Sequence, residues 1–247
     1  MRKKYLLVCE GPTDILVINK IAKKISQSAD VQIEIQELSP QRDATTRRYP
    51  NHGWEEVRQW CRLYGTSIDI TSNSIEALAA KDRNWRTLLA VSKAEAIIIQ
   101  MDTDIVSYIT DLATSYAGTT KQARKGFAQN AILNWLGESS LPDSIYLLLS
   151  TQSTETWLLA THERTEEVFS NLSDNFDFEN IDNVIELLCS LNFQYICYDE
   201  GNRKKLSKSN YTPYAMKIIE NLQKVRRECD EVEKFCTFLL NSKILSN

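Results

Sequence analysis

Aliphatic runs that stop at an acid recur along this chain and predict most of its elements. Tyr5-Leu6-Leu7-Val8-Cys9 runs into Glu10, turns on Gly11-Pro12, and then places Ile15, Leu16, Ile18, Ile21, Ala22 and Ile25 at helical spacing. Pro12 suits the first position of that helix, where its missing N–H costs nothing. Ala96-Ile97-Ile98-Ile99-Gln100-Met101 ends at Asp102-Thr103-Asp104, and residues 144–149 form a third run, after which Glu155 opens a helix. Uninterrupted runs of this kind suit strands buried on both faces of a parallel sheet. Residues 31–38 instead alternate apolar and polar, the mark of a half-exposed strand near a sheet edge. A helix is predicted over 121–137, with Gly137 near its C-cap.

The remaining pattern sets the domain organisation. The polar stretch 39–53 breaks regular structure, Trp54, Val57, Trp60, Cys61, Leu63 and Tyr64 predict a short helix, and residues 75–91 predict another. Together they read as a helical insertion over about 39–92, between sheet strands. Beyond Glu155 the pattern is mostly helical, over 157–159, 181–191 and 213–240, and a basic loop, Arg203-Lys204-Lys205-Leu206-Ser207-Lys208, interrupts it. The acidic stretch 174–179 predicts an exposed linker and a boundary near it. The expected fold class is therefore α/β, a mostly parallel sheet flanked by helices, over residues 1–172, with a helical C-terminal extension over 173–247 that carries the basic loop.

Composition narrows the function more than the fold. A net charge of −4 and a pI near 5.4 argue against a protein that coats nucleic acid nonspecifically, although an acidic protein can still act on phosphates where a cation neutralises its carboxylates. No apolar stretch approaches the ~20 residues that span a bilayer, and only five apolar residues separate Lys4 from Glu10, so a cytoplasmic protein without a membrane partner is expected. The six cysteines form no C-x-x-C pair and read as small buried hydrophobes. His52 and His162 suit surface or capping roles, and the five tryptophans lie in apolar helical patterns that point to packing. Gly11 is the only glycine in the first turn, so neither a dinucleotide fingerprint nor a Walker loop is present.

Ligands of parallel sheets sit beyond the carboxyl ends of the strands, so Glu10, Asp14, Asp102 and Asp104 are expected to converge on one edge. On an extended chain Asp102 and Asp104 would face the same way and could share a cation, and oxygen-only ligands suit Mg²⁺ or Mn²⁺. A solvated turn would account for the pair as well, and Asp14 could simply favour the positive first turn of its helix.

Glu10-Gly11-x-x-Asp14 after a first strand, followed by a hydrophobic strand ending Asp102-x-Asp104, resembles the Toprim domain shared by topoisomerases, bacterial primases and several nuclease families. With Glu155 as a third acid opening a helix, the first two-thirds of the chain look more like the compact Toprim-like nucleases of prokaryotic phage-defence loci. The resemblance implies a metal-dependent nuclease cutting DNA or RNA, with Mg²⁺ or Mn²⁺ held by Glu10, Asp14, Asp102 and Asp104, and with Glu10, Asp102, Asp104 and Glu155 catalytic. It further implies an ATPase partner. Arg203, Lys204, Lys205 and Lys208 could grip the nucleic acid substrate, though a solvated basic loop is as common. A noncatalytic Toprim-like interaction subunit and a primase-like nucleotidyl transferase are the competing readings. Tyr211 would matter as a nucleophile only in a topoisomerase, and the chain lacks room for the DNA gates such an enzyme needs.

Overall fold

The computed structural model describes residues 2–46, 48–66, 84–193, 195–197, 204–206 and 211–241, with the backbone alone over 195–197 and 204–206. At its centre lie four strands, β1 (Arg2–Val8), β2 (Gln32–Ser39), β3 (Ala96–Asp102) and β4 (Ile145–Ser150). They are all parallel, in the order β2-β1-β3-β4. The fold is α/β. The chain leaves β1 toward β2 on one side and later returns to β3 on the other, so the order reverses between β1 and β3, where open parallel sheets form their ligand crevice. As the alternation of 31–38 requires, β2 is an edge strand.

Period-two packing builds two layers. Tyr5, Leu7, Cys9, Ile98 and Leu148 face a layer containing α1 (Pro12–Ala29), α5 (Glu155–Leu159), α6 (Val184–Ser190), α7 (Tyr211–Glu220), α8 (Leu222–Glu228) and α9 (Asp230–Leu240). Leu6, Val8, Ile97, Ile99 and Met101 face a second layer made by α2 (Trp54–Tyr64), α3 (Trp85–Ser92) and α4 (Lys121–Leu136). Thr120 caps the start of α4 by accepting from the Ala123 N–H at 3.1 Å, and Gly137 ends it at φ 69°. Cys9, Cys61, Cys229 and Cys236 are buried free thiols, as small hydrophobes should be. Of the predicted helix over 75–91, residues 75–83 lie outside the described residues, and the rest is α3.

The C-terminal extension completes the first layer. Its helices α7, α8 and α9 contribute Ala215, Ile218, Val225, Val232, Phe235 and Leu239 to the same core as Tyr5 and Leu7. Lys3, buried within β1, donates to the Leu239 carbonyl at 3.2 Å and to that of Leu240, satisfying the orphan carbonyls at the end of α9. The predicted single helical pattern over 213–240 is broken into three helices at Asn221 and Cys229.

Two expectations are corrected here. The stretch 174–179 is not an exposed linker throughout, because Phe176 and Phe178 pack against Phe169, tilted and edge-on, and Glu179 is 0% exposed. Its acids find cations on α4: Lys121 reaches Asp177 at 2.6 Å and Glu179 at 3.0 Å, while Lys125 bonds Glu231 at 2.7 Å. The basic stretch is not wholly a loop either. Its residues Lys204–Leu206 form β6, paired antiparallel with β5 (Tyr195–Cys197), with Tyr195 opposite Leu206 and Cys197 opposite Lys204.

Where α2 ends, the chain runs against the end of α4, and Thr66 donates its N–H to the Leu136 carbonyl at 2.7 Å. A Cβ at Gly65 would lie 2.7 Å from both the Cys61 and Leu136 carbonyl oxygens. Gly65→Ala should therefore force α2 and α4 apart and destabilise the protein by about 1–3 kcal/mol. A urea unfolding midpoint equal to that of the parent would contradict this close approach.

Candidate metal and catalytic site

Glu10 stands between the end of β1 and the start of α1, with extended Gly11 turning the chain into Pro12. Its backbone N–H donates to Gln100 Oε1 at 3.2 Å, and Gln100 Nε2 donates to Asp102 Oδ1 at 2.9 Å. The Asp102 N–H returns a bond to Glu10 Oε1 at 2.8 Å. These bonds lace the carboxyl ends of β1 and β3 together at the point where the strand order reverses. The loop after β2 joins them, since the Gly53 N–H donates to the Glu10 carbonyl at 2.6 Å.

A second group sits on the α1 side. Asp14, in the first turn of α1 and 4% exposed, accepts from Thr154 Oγ1 at 3.2 Å. Thr154 Oγ1 lies 3.5 Å from the Tyr211 hydroxyl, which also points to Glu155 Oε1 at 3.5 Å. β4 and the turn after it bring Thr154 and Glu155 to the same sheet edge as Glu10 and Asp102.

The electrostatics join the two groups. Burial, followed by the charge of Glu155, pushes Asp14 from an ordinary 3.8 to about 7. Asp102 is pushed well above the carboxylate range, by desolvation first and then by Glu10, Asp14, Asp104 and Glu155. The Tyr211 phenol is also raised, by burial and then by Glu155, Asp14 and Asp102. The four other sequence-predicted acids therefore all act on Asp102, and Glu155 acts on Asp14 as well.

Asp104 does not face the same way as Asp102 on an extended chain. β3 stops at Asp102, the chain bends at Thr103, and Asp104 is exposed in the turn that follows, its N–H bonded to the Gln152 carbonyl at 3.1 Å. The i, i+2 rule holds only within a strand, so their proximity comes from the turn. His162 bonds Glu166 at 2.9 Å and Lys217 at 2.7 Å, a helix-docking role for a part-buried residue. Arg203 and Lys208 lie outside the described residues, and Lys204 and Lys205 are described by backbone alone.

Gln100, Thr154 and Tyr211 are the site residues that the motifs did not select. Gln100 carried a signal, a lone amide inside an otherwise aliphatic run. Thr154 carried a weaker one, as the residue before Glu155, and Tyr211, weighed only as a topoisomerase nucleophile, carried none for a place beside Glu155, 56 positions away.

The donor chemistry fits a hard divalent cation, because carboxylates that repel one another are what such an ion relieves. Among the described residues, no group of three or more His, Cys, Asp or Glu side chains is already arranged to hold a metal ion. Among them, too, no helix is long and apolar enough to cross a membrane. No protein-family model matches the chain, and no curated protein or solved structure matches it.

The raised pKa of Asp14 sets the sign of a pH effect. An acid that holds its proton more tightly when folded stabilises the protein below its unfolded pKa and loses that contribution as pH rises through its folded one, here from about 4 to about 7. In metal-free buffer, the stability of Asp14→Asn relative to the parent should therefore rise by roughly 1–4 kcal/mol between pH 4 and pH 8. Parallel stability curves for the two proteins across that range would refute the burial of an ionising Asp14.

Proposed function

We propose that this protein is a divalent-metal-dependent nuclease that hydrolyses phosphodiester bonds in DNA or RNA and serves as an effector in antiphage defence. The observation that carries the reading is the convergence of Glu10, Asp14, Asp102, Asp104 and Glu155 at the β1/β3 reversal of the sheet. Their order along the chain and their Toprim-like motifs support it.

On this reading Glu10, Asp14, Asp102 and Asp104 would hold Mg²⁺ or Mn²⁺, which when bound supplies Lewis-acid activation of water and neutralises phosphate charge. The Asp102 N–H fixes Glu10 Oε1, which removes rotamer freedom from that ligand in advance. Gln100 orients Asp102 Oδ1. Glu155, only partly buried, is the acid placed to take or give a proton. Arg203, Lys204, Lys205 and Lys208 would hold the phosphate backbone of the substrate.

One observation favours a second reading. Glu10 Oε1 and Asp14 Oδ1 are already engaged by protein donors, as they would be in a noncatalytic Toprim-like subunit that works only by binding an ATPase partner.

Purified protein incubated with plasmid, linear DNA and total RNA, in Mg²⁺, Mn²⁺ or EDTA, separates the two. Cleavage should require the metal, and Glu10→Ala or Asp102→Ala should lower it on the order of 10²-fold or more. Either variant cutting at the parental rate would refute the assignment. Mg²⁺ or Mn²⁺ should also raise the melting temperature, and Asp104→Asn should reduce that rise. An undiminished rise in Asp104→Asn would remove Asp104 from the metal site.

Replacing Lys204 and Lys205 together by Ala should flatten the salt dependence of nucleic acid binding, by roughly one unit of slope for each phosphate that is no longer neutralised. Binding isotherms in Ca²⁺ over a salt series would measure it, and an unchanged slope would exclude the segment from the interface.

A further inference from the structure

We propose that Tyr211 is a positioning residue of this site, its buried hydroxyl holding Glu155 and Thr154 in place from the first turn of α7. The proposal rests on the reading of Glu155 as the proton-handling acid, and it makes the C-terminal helical layer part of the active site.

Proton accounting supports it. Thr154 Oγ1 spends its one hydrogen on Asp14 Oδ1, so toward Tyr211 it can only accept. Glu155 Oε1, as a carboxylate, can only accept as well. The Tyr211 O–H is thus a donor 3.5 Å from two acceptors that share its one hydrogen, and through Thr154 it also constrains Asp14. Catalytic hydrogen bonds of this length commonly tighten in the substrate complex.

The surroundings suit a donor and not a nucleophile. Tyr211 is 7% exposed, and the acids beside it oppose formation of a phenolate. A phosphotyrosyl bond would require the buried oxygen to reach a phosphate and lose its proton among carboxylates. The neutral hydroxyl instead fixes the Glu155 rotamer, which would otherwise swing on three torsions.

Tyr211→Phe keeps the ring and removes one oxygen. With a cleavable substrate, kcat should fall roughly 10- to 100-fold while KM and the melting temperature stay close to those of the parent. Because the hydroxyl acts through Glu155, Tyr211→Phe introduced into Glu155→Gln should cause little further loss, a non-additivity that a merely structural role would not produce. Parental kcat in Tyr211→Phe, a change confined to KM, or fully additive losses in the double variant would each overturn the proposal. Should Tyr211→Phe not fold, p-aminophenylalanine at position 211 keeps a donor in the same place. Retained kcat in that protein would agree with the proposal, and lost kcat at unchanged KM would overturn it. A parent that fails to cleave any substrate sinks the nuclease reading itself, whereas an active parent with a fully active Tyr211→Phe sinks only this one.

Discussion

Parallel pairing of Leu6–Val8 with Ile97–Ile99 is the constraint on which the rest depends. Two such strands run in the same direction, so their carboxyl ends must leave the sheet together, and whatever polar residues follow them must share one edge. Here those residues are Glu10 and Asp102. Their hydrogen bonds, with Gln100 between them, seal an edge at which the backbone ladder has run out of partners. The two helical layers keep the strands dry on both faces, and that dryness also makes an acid at the edge expensive to ionise.

Electrostatic tension at one edge is balanced by neutralisation at another place. Along α4, Lys121 and Lys125 meet Asp177, Glu179 and Glu231, so the buried Glu179 has cations within reach. The groups that shift Asp102 are all acids. The same kind of side chain is thus neutralised in one cluster and left among like charges in the other, according to the sign of its neighbours.

Much of this was legible along the chain. Strands β1, β3 and β4 announce themselves as aliphatic runs, and β2 by alternation, because burial on two faces and burial on one leave different periods. Glu10, Asp14, Asp102, Asp104 and Glu155 could be placed at one edge because each lies at the end of such a strand or in the turn or helix start that follows it. What stayed hidden depended on partners far away in the chain. Residues 174–179 look solvent-facing until Lys121 is known to lie against Asp177, across 56 positions. Phe176 and Phe178, two apart, were the only local sign that this acidic stretch has an inner face. Tyr211 is hidden for the same reason, since a helix start gives no indication of which acid it will meet.

The bond from Lys3 to the end of α9 ties β1 to that helix. The layer over Tyr5, Leu7, Ile98 and Leu148 is finished by residues 211–240. A chain interrupted before residue 211 would carry every acid of the edge yet leave that face of the sheet wet and Lys3 without its carbonyls. The helical end of the chain is therefore the keystone of the acidic edge, although it contributes none of the five acids.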